Sequence, residues 1–214
     1  MCPIKCWTRR KEARPQEILE AALALFIEKG YSATKIEDIA RAAGVTRGTP
    51  YLYFANKEDI FKSVIRSLLL PQLAVGETLL KNWQGSAQDL MREMLHTWWR
   101  VVGATPLSAL PKLMIAEGGN FPEVLALYNQ EFVESGRAML RHVLQYGVDR
   151  GEFMLADIAY AVDVISSPIV MAMVLMNTPN SCLPKDFDAA RFVQCSLDIV
   201  LNGLNTRPVD VPHV

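Results

Sequence analysis

The chain has 214 residues, half of them hydrophobic, which is enough for one or two packed domains and too apolar for a disordered chain. Its net charge of −1 says nothing by itself about nucleic acid. The distribution says more: residues 1–70 hold 12 Lys/Arg against 8 Asp/Glu, and residues 71–214 hold 10 against 15, so a basic third precedes an acidic remainder.

Lys5, Arg9, Arg10, Lys11 and Arg14 form a basic arm, expected either to gain order on phosphates or in a minor groove, or to stay a solvated tail. A helix is expected from Pro15 to Lys29, because Ile18, Ala21, Ala22, Leu25 and Phe26 recur on one face; Gly30 ends it as a left-handed cap. Thr34 opens a second helix, and Thr34 and Glu37 have capping-box spacing. Ile36, Ile39, Ala40 and Ala43 form its inner face before Gly44 closes it. Thr46 is a good N-cap for a short third helix, Arg47–Phe54. At 100° per residue, Pro50 and Phe54 face the core there, Gly48, Thr49 and Leu52 point away, and Arg47, Tyr51 and Tyr53 take the flanks. Two short helices around a tight Ala-Gly-Val turn, the second small and polar outside, are the layout of a helix-turn-helix. Gly48 permits close approach to DNA, Arg47 can fork onto guanine or phosphate, and Leu52 can touch a thymine methyl. Asn56 caps a fourth helix with Asp59 at N3, and Lys57 in its first turn suits an external phosphate.

These residues carry a resemblance. The stretch Ile18–Phe61 resembles the TetR family of bacterial transcriptional regulators: Phe26, Gly30 and Tyr31, the run ending at Ala40, Ala43–Val45, and Gly48 to Lys57 hold its spacings. The resemblance implies an all-α homodimer with an N-terminal DNA-binding domain, here 1–55, and a C-terminal helical ligand-binding and dimerisation domain, here 56–214. It also implies repression of target genes, relieved when a small-molecule effector releases a palindromic double-stranded DNA operator. The candidate DNA-contacting residues are Thr34, Lys35, Thr46, Arg47, Gly48, Thr49, Tyr51, Leu52, Tyr53 and Lys57. Pro50 departs from the family, which more often has an aliphatic residue. It should remove one hydrogen bond, and the helix is expected to survive with a tighter first turn.

The fourth helix continues through Phe61, Val64, Ile65 and Leu68 until Pro71, which should bend or break it. Further helices are expected from Ala87 to about Gly103, Leu107 to Ala116, Phe121 to Arg150, Asp157 to Met176 and Asp188 to Leu204, with no strands. Met91, Met94, Trp98, Met114, Tyr128, Phe132 and Met139 are candidates to line an adaptable site for an apolar or aromatic molecule. Ile165, Ile169, Ala172, Phe192, Leu197, Val200, Leu201 and Leu204 are candidates for a dimer surface, and Pro168 should kink its helix.

The cysteines Cys2, Cys6, Cys182 and Cys195 lack disulfide or metal spacing, so reduced thiols, no metal and a cytoplasmic protein are expected. Met1–Gln16 is too basic for a secretory leader, and the dense apolar run Ile169–Met176 falls short of the roughly 20 residues of a membrane span. A buried helix is expected there instead. An activator, or a regulator sensing a protein partner, fits the same sequence. An enzyme with an all-α pocket is remote: there is no nucleophile elbow, phosphate loop or clustered His/Cys/Asp set, and no cofactor is expected.

Overall fold

The computed structural model describes residues 5–204, with side chains from residue 14 onward. Cys2, the tail 205–214 and the side chains of Lys5, Arg9, Arg10 and Lys11 lie outside the described residues. Among the described residues there are helices and turns but no strand.

Helix α1 spans Lys5–Lys29, longer than the apolar periodicity predicts. The basic segment is rich in Lys, Arg, Glu and Ala, all good helix formers, and the backbone winds on through Pro15. Gly30 adopts φ 83° and stops it, its amide bonding the Phe26 carbonyl at 3.0 Å. Helix α2 is Ile36–Ala42. It ends in a Schellman motif: Gly44 at φ 65° donates to Arg41, and Val45 donates to Ala40. That closure makes the tight turn before the third segment.

Helices α3 (Lys57–Val64) and α4 (Leu70–Asn82) are one rod joined by a π segment, Ile65–Leu69. Of the two outcomes expected at Pro71, a bend or a break, the helix is not broken. The wider π turn just before it accommodates the missing N–H and the ring, with the Leu70 amide reaching back to the Ile65 carbonyl. Asn56 caps the rod as expected, accepting from Asp59 N at 2.8 Å while Asp59 accepts from Ala55 N. The expected boundary at 55/56 thus falls at the cap of a helix whose first turns carry Ile60, Phe61 and Val64 into the same core as α1.

The C-terminal part contains α5 (Ala87–Trp98, prolonged by a π segment to Gly103), α6 (Leu110–Glu117), α7 (Pro122–Leu127), α8 (Glu134–Asp149), α9 (Ile158–Met176) and α10 (Ala189–Leu204). A π segment, Tyr128–Val133, joins α7 to α8. Helix α9 runs through Pro168. Ser166 and Ser167 donate to the carbonyls of Val162 and Asp163 one turn back, a back-bonding that favours a bend in a helix.

By length and composition alone, Lys57–Asn82 and Ile158–Met176 are long and apolar enough to cross a membrane. Helix α9 is not wholly buried as expected. Val162, Ile165, Ile169, Ala172 and Met173 face the core, while Tyr160 and Val164 are 74% and 70% exposed on the opposite stripe. The dimer candidates require correction here. Ile165, Ile169, Ala172, Leu197, Leu201 and Leu204 are buried within the chain itself and have no side chain left to offer a partner, and Phe192 and Val200 are only partly exposed. The free apolar stripe is Tyr160, Val164, Pro168 and Met171 on α9, with Ile199 on α10.

Candidate nucleic-acid interface and internal cavity

The third segment is not the α-helix expected over Arg47–Phe54. It is a turn followed by one 3-10 turn, Pro50–Leu52. Proline 50 cannot donate to Thr46, so the segment tightens: Thr49, Leu52 and Tyr53 each bond the carbonyl three residues back, and only Phe54 reaches four back, to Pro50. Pro50 and Phe54 anchor this turn in the core as expected. Arg47, Gly48, Tyr51, Leu52 and Tyr53 project into solvent, with Leu52 79% exposed. A Cβ at Gly48 would meet nothing within 4 Å. The Arg47 guanidinium reaches back to Glu37 on α2 at 2.8 Å. A backbone hydrogen bond and then Arg47 hold the Glu37 carboxyl below its ordinary value. Lys35 is exposed at the N-cap of α2.

Three of the candidate DNA residues have other tasks. Thr34 is buried and its hydroxyl donates to the carbonyls of Gly30 and Leu25, so the capping box with Glu37 does not form. Thr49 is buried, and its hydroxyl pairs with that of the exposed Thr46 at 2.7 Å. Lys57 is turned inward. Its ammonium donates to the carbonyls of Tyr31, Ser32 and Thr34 at 2.8, 3.2 and 3.0 Å and sits 4.4 Å from the centre of the Tyr31 ring. All three of its hydrogens are engaged, which leaves none for a phosphate. Burial lowers the pKa of Lys57, with Glu117 opposing.

Beside Lys57 the N-terminal unit is tied to the rest of the chain. Phe26, Tyr31 and Phe61 pack ring on ring at 5.0–5.2 Å, and Phe121 meets Tyr31 edge-on at 4.3 Å. Burial, then Glu58 and Glu117, push the Tyr31 phenol up to about 12. Glu117, the last residue of α6, accepts from the Ser32 amide at 3.1 Å and the Ser32 hydroxyl at 2.7 Å. Lys62 pairs with Glu58 and Glu123, and Arg66 with Glu131. No sequence signal could reveal the Ser32–Glu117 contact, since 85 residues separate its partners.

The Glu117 contact makes a pH prediction. Burial opposes ionisation, but the Ser32 hydroxyl and amide, Asn120 and the Lys57 charge outweigh it and hold the carboxyl below 4.5. A depressed folded-state pKa contributes stability that is complete above the unfolded value and lost as pH falls through the folded one. Between pH 5 and 3 the urea midpoint of Glu117→Gln should therefore fall less steeply than that of the wild type. Parallel slopes would mean that the contact contributes nothing.

Behind this junction lies a cavity of about 170 Å³. Met94, Trp98, Tyr128, Phe132 and Met139 line it, as the sequence reading expects, whereas Met91 and Met114 are buried in the core away from it. Trp98 meets Phe132 edge-on at 5.7 Å. Gln72 and Gly76, four residues apart on one face of α4, line it too, as do Leu107, Leu110, Arg137 and Met173. Ile169, expected at a dimer surface, also lines this cavity. Gln72 and Gly76 were visible as a polar and a small residue at helical spacing, but which face of α4 turns inward was not.

A helix-turn-helix unit packed against a helical part that encloses a cavity is the layout of a transcriptional regulator of the helix-turn-helix class. Known proteins agree. Residues 18–64 match the model of the bacterial regulatory proteins, tetR family, and residues 84–182 match that of the tetracyclin repressor-like C-terminal domain. The chain belongs to the tetR family of bacterial regulatory proteins. It is 39% identical over 83 residues to the HTH-type transcriptional regulator AcrR of Shigella flexneri, covering 37% of each chain. It is 27% identical over 168 residues to the uncharacterized HTH-type transcriptional regulator YdeS of Bacillus subtilis, covering 78% of this chain and 81% of the relative. The chain thus spans little more than a third of AcrR's length in that match. The fold is that of FadR from Bacillus subtilis in complex with stearoyl-CoA, with a TM-score of 0.73 at 23% identity, covering 89% of this chain and 99% of that one.

Proposed function

We propose that this chain is a ligand-responsive repressor that binds a palindromic operator as a homodimer. The observation that carries the reading is the cluster of Arg47, Gly48, Tyr51, Leu52 and Tyr53, held outward by the buried anchors Pro50 and Phe54. Apolar and aromatic groups are presented to solvent beside a glycine and an arginine, the set that fits a major groove. Lys35 and Thr46 border that surface.

The free stripe Tyr160, Val164, Pro168, Met171 and Ile199 supports pairing with a second copy across α9 and α10. Two copies would place their third segments roughly 34–36 Å apart, in successive major grooves. The cavity wall supports sensing rather than catalysis, since no His, Cys, Asp or Glu lines it. A regulator that reads chromosomal DNA in a bacterium works in the cytoplasm.

Coupling follows from shared helices. The segment leading into α6 and α6 itself line the cavity through Leu107 and Leu110, and α6 ends at Glu117 on Ser32. The π segment after α7 lines it through Tyr128 and Phe132, and α7 begins beside Phe121 on Tyr31. The α3–α4 rod lines it through Leu69, Gln72 and Gly76 and carries Lys57 at its other end. An occupant that prefers one spacing of these helices reorients the N-terminal unit to the extent of that preference.

The test is fluorescence anisotropy with DNA flanking the chain's own gene. Specific binding should weaken steeply as salt rises from 50 to 200 mM, on the order of a hundredfold with Arg47 and Lys35 of each of two copies neutralising one phosphate apiece. Equal affinity for scrambled DNA at every salt concentration would sink the reading.

A further inference from the structure

Most polar groups around the cavity already have partners. The Arg137 guanidinium is locked onto the Asp163 carboxylate through two nitrogens, with Glu134 beside it. The Thr97 hydroxyl donates to Glu93 and accepts from Arg100. Ser166 donates to the Val162 carbonyl. Two groups differ. The Tyr128 hydroxyl has no hydrogen-bond partner among the described residues, although the side chain is only 7% exposed. Because no fully enclosed side-chain polar atom among the described residues lacks a partner, this oxygen keeps some accessible surface, and its side chain lines the cavity. The Gln72 amide nitrogen donates to the Leu68 carbonyl at 3.1 Å, and its oxygen accepts from no described residue.

Size adds a second constraint. An apolar cavity of about 150 Å³ takes up benzene, and drug-sized sites begin at about 300 Å³. A cavity of about 170 Å³ belongs with the first. Met94, Met139 and Met173 can adjust its walls, but they add no charge.

We infer that the cavity binds a compact, neutral, single-ring molecule bearing one hydroxyl or carbonyl group, which the Tyr128 hydroxyl holds with the Gln72 oxygen as a second polar neighbour. This rests on the reading of the cavity as the effector site and specifies its chemistry. A buried hydroxyl that loses water without gaining a partner is costly, so the site rejects a purely apolar ring of the same shape. A carboxylate would enter an apolar chamber whose one cation is already paired, so anions are rejected more strongly. Burial raises the pKa of Tyr128, which keeps it a neutral hydroxyl able to donate or accept.

The experiment titrates the full chain with p-cresol, toluene and p-toluate by calorimetry, with quenching of Trp98 fluorescence as a second readout (Trp98→Phe identifies the signal). In the wild type p-cresol should bind roughly five- to tenfold tighter than toluene, the factor one buried neutral hydrogen bond contributes, and p-toluate should bind weakest. In Tyr128→Phe toluene should bind at least as tightly as it does to the wild type, because the hydroxyl it leaves unpartnered is gone, and the p-cresol advantage should fall below about twofold. Equal wild-type affinities for p-cresol and toluene, an advantage that persists in Tyr128→Phe, p-toluate binding as tightly as p-cresol, or no binding by any of the three would each overturn the inference. DNA anisotropy on the same samples separates the two readings. If p-cresol binds through Tyr128 but leaves DNA affinity unchanged, the effector reading fails and the site chemistry stands. If nothing binds while specific DNA binding persists, only the site chemistry fails.

Discussion

Gly48→Glu leaves the fold intact and lowers DNA affinity by at least about a hundredfold, the loss expected when a like charge is set against a binding surface at a cost of several kcal/mol. The argument for an intact fold is local. Gly48 is exposed, its φ lies outside the left-handed region, and a Cβ there meets nothing within 4 Å. The argument for lost binding is that Gly48 lies between Arg47 and the exposed Tyr51–Leu52 edge. A carboxylate there opposes the phosphates and also competes for the Arg47 guanidinium, which already pairs with Glu37. Thermal unfolding and DNA anisotropy on one sample check both halves. Unchanged DNA affinity at an unchanged melting temperature would remove this surface from the interface.

Phe61→Ala has the largest expected effect on stability. Phe61 is buried, its ring lies 5.0 Å from Phe26 and 5.1 Å from Tyr31, and Tyr31 in turn supports Phe121 of the C-terminal part. Truncation removes a large buried ring and leaves a cavity where helices from both parts meet. The cost should be about 3–5 kcal/mol. Urea unfolding at fixed protein concentration measures it, since assembly shifts apparent stability. The variant should also separate the unfolding of the N-terminal unit from that of the remainder, because the ring joins their cores. A loss below about 1 kcal/mol would show that the cluster relaxes around the gap.

Lys57 shows how a motif can be legible while its chemistry is not. Its position at a helix N-terminus reads as a phosphate site. In the fold, the Tyr31–Thr34 turn brings three carbonyls to the ammonium first. Thr34 and Thr49 follow the same logic. Both are small polar residues at positions that look outward in a one-dimensional reading, and both hydroxyls find nearby partners inside. Pro50 was legible as the irregular residue of the motif. Its consequence, a single 3-10 turn instead of an α-helix, required knowing that Pro50 and Phe54 are held in the core while the rest of the segment is not.

The sequence by itself determined the all-α class, the stops at Gly30 and Gly44, the Asn56 cap and the family. Each of these depends on a few neighbouring residues: a periodicity, a φ that glycine tolerates, a side chain one turn from its amide. Only the tertiary structure decided which stripe of α9 faces inward. Ile165 and Ile169 are apolar, but so are the adjacent Val164 and Pro168, and a shift of one residue turns a helix by 100°. Periodicity cannot choose between two apolar faces, so the choice fell to packing against α8 and the cavity. The same holds for the clasp between Ser32 and Glu117 and for the uncommitted hydroxyl of Tyr128. Both arise from contacts, or their absence, between segments far apart in the chain, and no local pattern encodes them.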